Sequence, residues 1–412
     1  MVRHGDIRAV NDPIALSPGS DAARRNDLGP ADIQATFCST IVDEWVRCGL
    51  TDAVVHPGSR STPLTLALAA DDRVAVHVHH DERSGSFLAL GLARASGRPV
   101  VVVTTSGTAA VQLHAAVVEA DLSGAPLIVC TADRPPELRD RAAPQTVDQV
   151  HLFGRSVRWF AEPGVPTAAG APWWRSLASR AWVEATGAWP GPVHWNLSFR
   201  EPLVGECQPL PEGRGSGPWT VARRAARSRP VLDTDGVMAR GVVVAGRQVS
   251  DPDAVAALAE GLGWPLFADP TSGCGGRNRI AAFDPLVRTP FATEHRPEVV
   301  IHVGGPPASK ELGRWIAGAA PLEIVVADGW TPDPDHRAAL VLDTVPAAPG
   351  DVDVDHAWLD TWRSADRAAA EAIDRVLADQ PLSEPAVART LTAHAPPGSV
   401  LVVSSSMPVR DV

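Results

Sequence analysis

The sequence predicts an α/β protein built from doubly wound parallel sheets, and three observations predict it. Short runs that are apolar throughout, such as Val100-Val101-Val102-Val103, recur along the chain and suit strands covered on both faces. Segments with helical spacing of apolar residues separate them. The alternation stops once, in a stretch rich in Gly, Pro and Arg over 209–230, and then starts again.

Taken in order, Ile33, Phe37, Ile41 and Trp45 recur every four residues and make one face of a helix that Gly49 closes. A strand at 53–56 runs into the turn Pro57-Gly58-Ser59-Arg60-Ser61-Thr62 and a helix over 64–70. Strands are expected at 74–79, 100–104, 127–131 and 193–196, with helices over 88–95 and 107–120 between them. Beyond the linker, strands are expected at 241–245, 265–268, 299–303 and 324–327, and helices over 252–262 and 310–316. This second half has no GxGxxG dinucleotide fingerprint. Helices over 358–377 and 384–394, a strand at 401–403 and the turn 404–408 complete the chain. A last strand and turn cannot bury an apolar face alone, so they are expected to begin a third domain that is truncated.

Composition excludes several classes of protein. The 412 residues carry a formal net charge of −11, which argues against a nucleic-acid or acidic-membrane partner. No apolar run approaches the ~20 residues of a membrane span. Arg3, Asp6, Arg24 and Arg25 make the first thirty residues an extension unlike a signal peptide. Five scattered cysteines without a CxxC pair suit a reducing, cytoplasmic location. All but one of the 37 basic residues are arginine, the exception being Lys310, and this skew reads as coding bias.

Four segments at predicted strand ends are suited to chemistry. The turn bearing Ser59, Arg60 and Ser61 suits a carboxylate or phosphate, or else is a plain helix cap. In His77-Val78-His79-His80-Asp81-Glu82, the two alternating histidines resemble a metal pair without a third ligand, while Glu82 is placed to hold or pass a proton, or simply to face a helix dipole. Thr105-Ser106-Gly107-Thr108 lets a ligand approach the backbone closely, or is an ordinary strand-to-helix turn. Asp133 and Arg134, followed by Gln145, offer another cation or only a surface ion pair. Several anion-binding groups and one acid along one sheet edge favour an enzyme.

In that order, His56-Pro57-Gly58-Ser59-Arg60-Ser61-Thr62-Pro63-Leu64, Asp81-Glu82-Arg83, Thr105-Ser106-Gly107-Thr108-Ala109 and Thr131-Ala132-Asp133-Arg134-Pro135-Pro136-Glu137-Leu138 resemble the N-terminal domain of the MenD family of thiamine-diphosphate enzymes. The stretch 191–203, the segments 267–273 and 303–310, and the terminal 404–411 resemble later parts of the same family. The resemblance implies thiamine-diphosphate-enzyme architecture: an extension at 1–30, a pyrimidine-binding domain at 31–205, a linker at 206–230, a central α/β domain at 231–380 and the start of a diphosphate-binding domain at 381–412.

It also implies a reaction of menaquinone biosynthesis. Thiamine diphosphate decarboxylates 2-oxoglutarate, and the resulting succinyl carbanion adds to isochorismate. Glu82 matches the glutamate that hydrogen-bonds the aminopyrimidine ring, with Ser106, Gly107 and Thr108 at the cofactor. Ser59, Arg60, Arg134, Gln145, Lys310, Ser406 and Arg410 match substrate-side positions. Mg²⁺, or manganese in its place, holds the diphosphate through a Gly-Asp…Asn motif of the third domain, which does not occur after Arg410. The cofactor lies between subunits in this family, so a homodimer or homotetramer is implied. Glu311 replaces a second basic residue, and Pro144 stands where asparagine is frequent. The two expectations are a synthase represented by part of its chain and an inactive remnant that folds and binds anions or partners.

Overall fold

The computed structural model describes residues 28–223, 228–232, 240–327, 332–350, 354–404 and 407–411. Most of the expected extension, part of the linker and Ser406 lie outside the described residues. The chain divides into two compact units, Met1–Arg223 and Arg224–Val412.

The first unit is a six-stranded parallel sheet in the order β2-β1-β3-β4-β6-β5. Its strands are β1 (Asp52–Val55), β2 (Ala75–Val78), β3 (Val100–Thr104), β4 (Leu127–Asp133), β5 (Phe160–Ala161) and β6 (Pro192–Ser198). Its helices are α1 (Pro30–Cys48), α2 (Thr62–Ala69), α3 (Glu82–Ser96), α4 (Thr108–Gln112), α5 (His114–Ser123) and α6 (Ala171–Ala185). Strand side chains alternate between two cores. Val55, Val101, Val103, Ile128, Cys130 and Trp195 pack with Phe37, Ile41 and Trp45 of α1 and with Trp174 and Ala178 of α6. On the opposite face Val54, Val100, Val102 and Val129 meet Ala89 and Ala93 of α3 and Val117 of α5. Each large side chain buried this way stabilises the unit by ~1.5–3 kcal/mol.

The second unit is a five-stranded parallel sheet, β11-β10-β9-β7-β8. Its strands are β7 (Gly241–Ala245), β8 (Leu266–Ala268), β9 (Val299–Val303), β10 (Leu322–Val326) and β11 (Ala338–Leu342). Helix α7 (Pro252–Leu262) covers one face through Val255, Leu258 and Leu262. Helix α8 (Lys310–Ala319) and helix α9 (His356–Asp379) cover the other through Leu312, Trp315, Trp358 and Trp362. Helix α10 (Glu384–His394) buries none of its residues.

Several expectations are corrected. The apolar run 401–403 forms no strand; Val402 is 91% exposed, because an extended segment needs a neighbouring strand and none of the described strands pairs with it. The helix expected over 107–120 is two helices joined at Leu113, whose N–H bonds back to Ala110 O at 3.3 Å in a tighter turn. The helix expected from 88 begins at Glu82, because the Asp81 carboxylate caps it by accepting the Ser84 N–H at 2.7 Å.

Candidate active site

The carboxyl edge of the first sheet collects the polar loops. β1, β2 and β3 each feed a helix there, so free N–H groups and strand-end side chains gather on one rim. After β1, Arg60 is buried at 4% exposure, while Ser59 is exposed. The Arg60 guanidinium donates from Nη1 to Phe199 O at 2.8 Å and from Nη2 to Glu201 Oε1 at 3.0 Å. Burial, with the charge of Arg134 nearby, lowers its pKa.

After β3, Gly107 adopts φ 85° and ψ −145°, a region glycine alone enters readily. A Cβ there would lie 2.9 Å from Gln145 Cγ. Ser106 is fully buried and donates to Gln145 O at 3.0 Å; Gln145 Nε2 returns a bond to Ser106 O at 3.0 Å. Arg134 Nη1 donates to Ser106 Oγ at 3.2 Å, so Ser106, Arg134 and Gln145 form one cluster. Thr108 is exposed at the start of α4.

Beneath this cluster runs a buried chain of hydrogen bonds. Thr131 Oγ1 donates to Asn196 Oδ1 at 2.9 Å, which leaves it to accept from His194 Nε2 at 2.8 Å. Asn196 Nδ2 donates to Asp133 Oδ2 at 2.9 Å, and Gln149 Nε2 donates to Asn196 Oδ1 at 3.0 Å. Gln149 Oε1 accepts the Gly107 N–H at 2.8 Å. The network thus ties the Gly107 turn to strands β4 and β6. Burial pushes His194 down to about 3 and raises the Asp133 carboxyl above the usual range, against the hydrogen bond from Asn196 and the charge of Arg139.

Glu82 occupies the first turn of α3, half-buried, and no other described residue gives it a hydrogen bond or ion pair. His56, at the end of β1, is 1% exposed and feels the Glu82 charge. Its Nδ1 lies 2.8 Å from Val103 O, so that nitrogen carries the proton. Its Nε2 is buried without a hydrogen-bond partner among the described residues, against Gly85 of α3, where a Cβ would come within 2.2 Å of it. Burial lowers the His56 pKa. Thr104 Oγ1 and Thr105 Oγ1 are also buried and unpartnered at this edge.

The metal reading of His77 and His79 gives way to local bonding. His77 Nε2 lies 2.9 Å from Asp52 Oδ1, and His79 Nδ1 lies 3.2 Å from Asp81 O. Among the described residues there is no group of three or more His, Cys, Asp or Glu suited to a metal ion. Lys310 opens α8 in the second unit and is exposed; Arg410 falls in the helical turn Pro408–Asp411. The sequence reading assigned no role to His56, Gln149, Asn196 or Glu201. His56, Asn196 and Glu201 stand inside quoted motifs, which is the available signal; nothing in the sequence marks Gln149.

Two family descriptions match the chain: "Thiamine pyrophosphate enzyme, N-terminal TPP binding domain" over residues 36–152 and "Middle domain of thiamine pyrophosphate" over 216–403. The fold and these matches define a thiamine pyrophosphate enzyme. A relative from Thermobifida fusca is 49% identical over 382 residues, covering 90% of this chain and 69% of the relative. Relatives from Saccharopolyspora erythraea and Myxococcus xanthus are 41% and 38% identical, each covering 93% of this chain and 70% of their own length. All three are named 2-succinyl-5-enolpyruvyl-6-hydroxy-3-cyclohexene-1-carboxylate synthase, and the chain belongs to that family.

Proposed function

We propose that the carboxyl edge of the first sheet is the pyrimidine side of the thiamine-diphosphate site in a 2-succinyl-5-enolpyruvyl-6-hydroxy-3-cyclohexene-1-carboxylate synthase. The enzyme decarboxylates 2-oxoglutarate and joins the remaining succinyl unit to isochorismate in menaquinone biosynthesis. The observation that carries the site is Glu82, a half-buried carboxylate with no hydrogen-bond or ion-pair partner among the described residues, at the first turn of α3. Buried polar atoms are normally satisfied, so His56 Nε2 near it, and Thr104 Oγ1 and Thr105 Oγ1 at the same sheet edge, which have no hydrogen-bond partner among the described residues, fit a heteroaromatic ring that brings its own polar groups.

When bound, thiamine diphosphate supplies an acidic carbon and an electron sink for the loss of carbon dioxide. Glu82 holds and passes the proton of a ring nitrogen. The turn of Ser106, Gly107 and Thr108 lets the ring approach the backbone, with Gln149 fixing the Gly107 amide. Ser59, Arg60, Arg134 and Gln145 bind substrate carboxylates, and Lys310, Ser406 and Arg410 are proposed to share that work. Bidentate arginine suits carboxylates, and both substrates carry them. Magnesium is proposed as the diphosphate's counter-ion; the described residues do not form its ligand set. A cytoplasmic homodimer or homotetramer is proposed as the working assembly.

The test is Glu82→Gln, assayed with both substrates, cofactor and magnesium. Turnover should fall by ~10²–10⁴, the worth of a positioned acid or base, with the melting temperature unchanged. Near-normal turnover would remove Glu82 from this role.

A further inference from the structure

Arg60 and Glu201 form an asymmetric ion pair. The Arg60 side chain is 5% exposed and that of Glu201 73%, with Nη2 and Oε1 3.0 Å apart. The guanidinium is fixed by its second bond, from Nη1 to Phe199 O at 2.8 Å. The carboxylate lies largely in water, and ion pairs with an exposed partner are weak and exchange readily. Nη2 is therefore an immobile buried donor whose partner is a replaceable carboxylate. Arg134, another cation of the edge, is close enough for its charge to act on Arg60, as is the carboxylate of Asp133.

We propose that Glu201 is a tethered competitor, its carboxylate occupying the place on Arg60 that a carboxylate of one substrate takes. This rests on the reading of Arg60 as a substrate-side residue. Binding is then an exchange of one carboxylate for another, and Arg60 is never left buried and unpaired, which would be costly. The exchange also selects. A substrate bearing an ester or amide there breaks the pair with Glu201 and returns no charge to Arg60.

The experiment is steady-state kinetics of Glu201→Gln and Glu201→Asp, with 2-oxoglutarate and isochorismate varied separately. Glutamine removes the competing charge; aspartate keeps it but is one methylene too short to hold Nη2 in place. Both variants should lower the KM of the same single substrate about two- to fivefold, the range for an exposed ion pair, with kcat unchanged; the melting temperature of the free protein should fall, because each weakens the partner of a buried guanidinium. A raised KM would mean that Glu201 positions Arg60, and unchanged KM values would mean that it does not compete. A fall in Glu201→Gln alone would reduce the effect to bulk charge. Each of these three results overturns the proposal. Arg60→Gln separates the underlying reading: if it leaves both KM values unchanged, Arg60 is not a substrate residue at all. If it raises one of them while the Glu201 variants do not lower that same KM, the competitor role alone fails.

Discussion

The two units share an architecture and differ at the carboxyl edge of their sheets. In the second unit the loops after β7 and β9 close on each other. Gly305 N donates to Arg247 O at 2.7 Å, and a Cβ on Gly246 would lie 1.6 Å from Gly305 O. Asp269, after β8, spends its carboxylate on the Thr271 and Ala308 amides, each at 2.9 Å, and on the Thr271 hydroxyl at 2.7 Å. At the first unit's edge His56 Nε2, Thr104 Oγ1, Thr105 Oγ1 and Arg60 Nε are buried without hydrogen-bond partners among the described residues. The loops of one edge are bonded to each other, with a cavity beside them lined by His302, Gly304, Gly305, Pro306 and Ser309; the other edge keeps unsatisfied groups at the strand ends. Ligand chemistry follows unsatisfied polarity, and a parallel sheet edge alone does not supply it.

Paired substitutions sharpen this contrast. The largest effect is the loss of turnover in Glu82→Gln; its counterpart, Asp269→Ala, should leave kcat and KM of the folded enzyme unchanged. A kinetic loss in Asp269→Ala comparable to that of Glu82→Gln would break the comparison. Next, Arg134→Gln removes a charge-assisted contact worth ~1.5–3 kcal/mol, so kcat/KM for one carboxylate substrate should fall ~10–150-fold. Equal losses for both substrates would assign Arg134 to the general field of the edge. Asp269→Ala should instead cost ~1–3 kcal/mol of stability, read from denaturant unfolding, because it leaves amides of two loops uncapped.

The smallest effect is in pH dependence. His194 is held neutral to about 3, so between pH 6.5 and 3 the unfolded chain binds its proton and the folded chain does not. Its stabilising contribution is complete above pH 6.5 and declines on acidification, by at most ~1.4 kcal/mol per pH unit. Asp133, with its carboxyl raised, acts with the opposite sign above the ordinary carboxylate pKa, since the folded form binds the proton more readily. His194→Gln should therefore flatten the loss of melting temperature between pH 6.5 and 4.5. An unchanged slope would show that other groups carry it.

Local signals made much of this fold legible in the sequence. β-Branched runs marked β3, β7 and β9, and four-residue apolar spacing marked α1. The Ser106-Gly107 turn was also readable, because glycine conformation is a property of a few adjacent residues; the Asp81 cap was not, and the helix expected from 88 begins six residues earlier. Helix α6 was missed: its buried positions after Trp174 include Ala178, Ala181 and Ala185, whose small side chains give little apolar contrast. Strand β5 is two residues long, and β11 exposes Leu340 and Val341; both are defined by pairing with a neighbour. The Asn196–Gln149–Gly107 network depends on β6 lying beside β4, and the Arg60–Glu201 pair joins residues 141 positions apart. No local pattern encodes such a juxtaposition. The apolar run at 401–403 looked like a strand because hydrophobicity says nothing about whether a partner is present.

Hydrogen exchange of the protein with and without thiamine diphosphate and magnesium tests the difference between the two edges most directly. Backbone amides at 56–61, 81–86 and 104–108 should gain protection when the cofactor is added, while those at 246–250 and 304–309 should exchange at unchanged rates. Protection confined to the second set would contradict the account, because it would place the cofactor at the edge whose loops are bonded to each other.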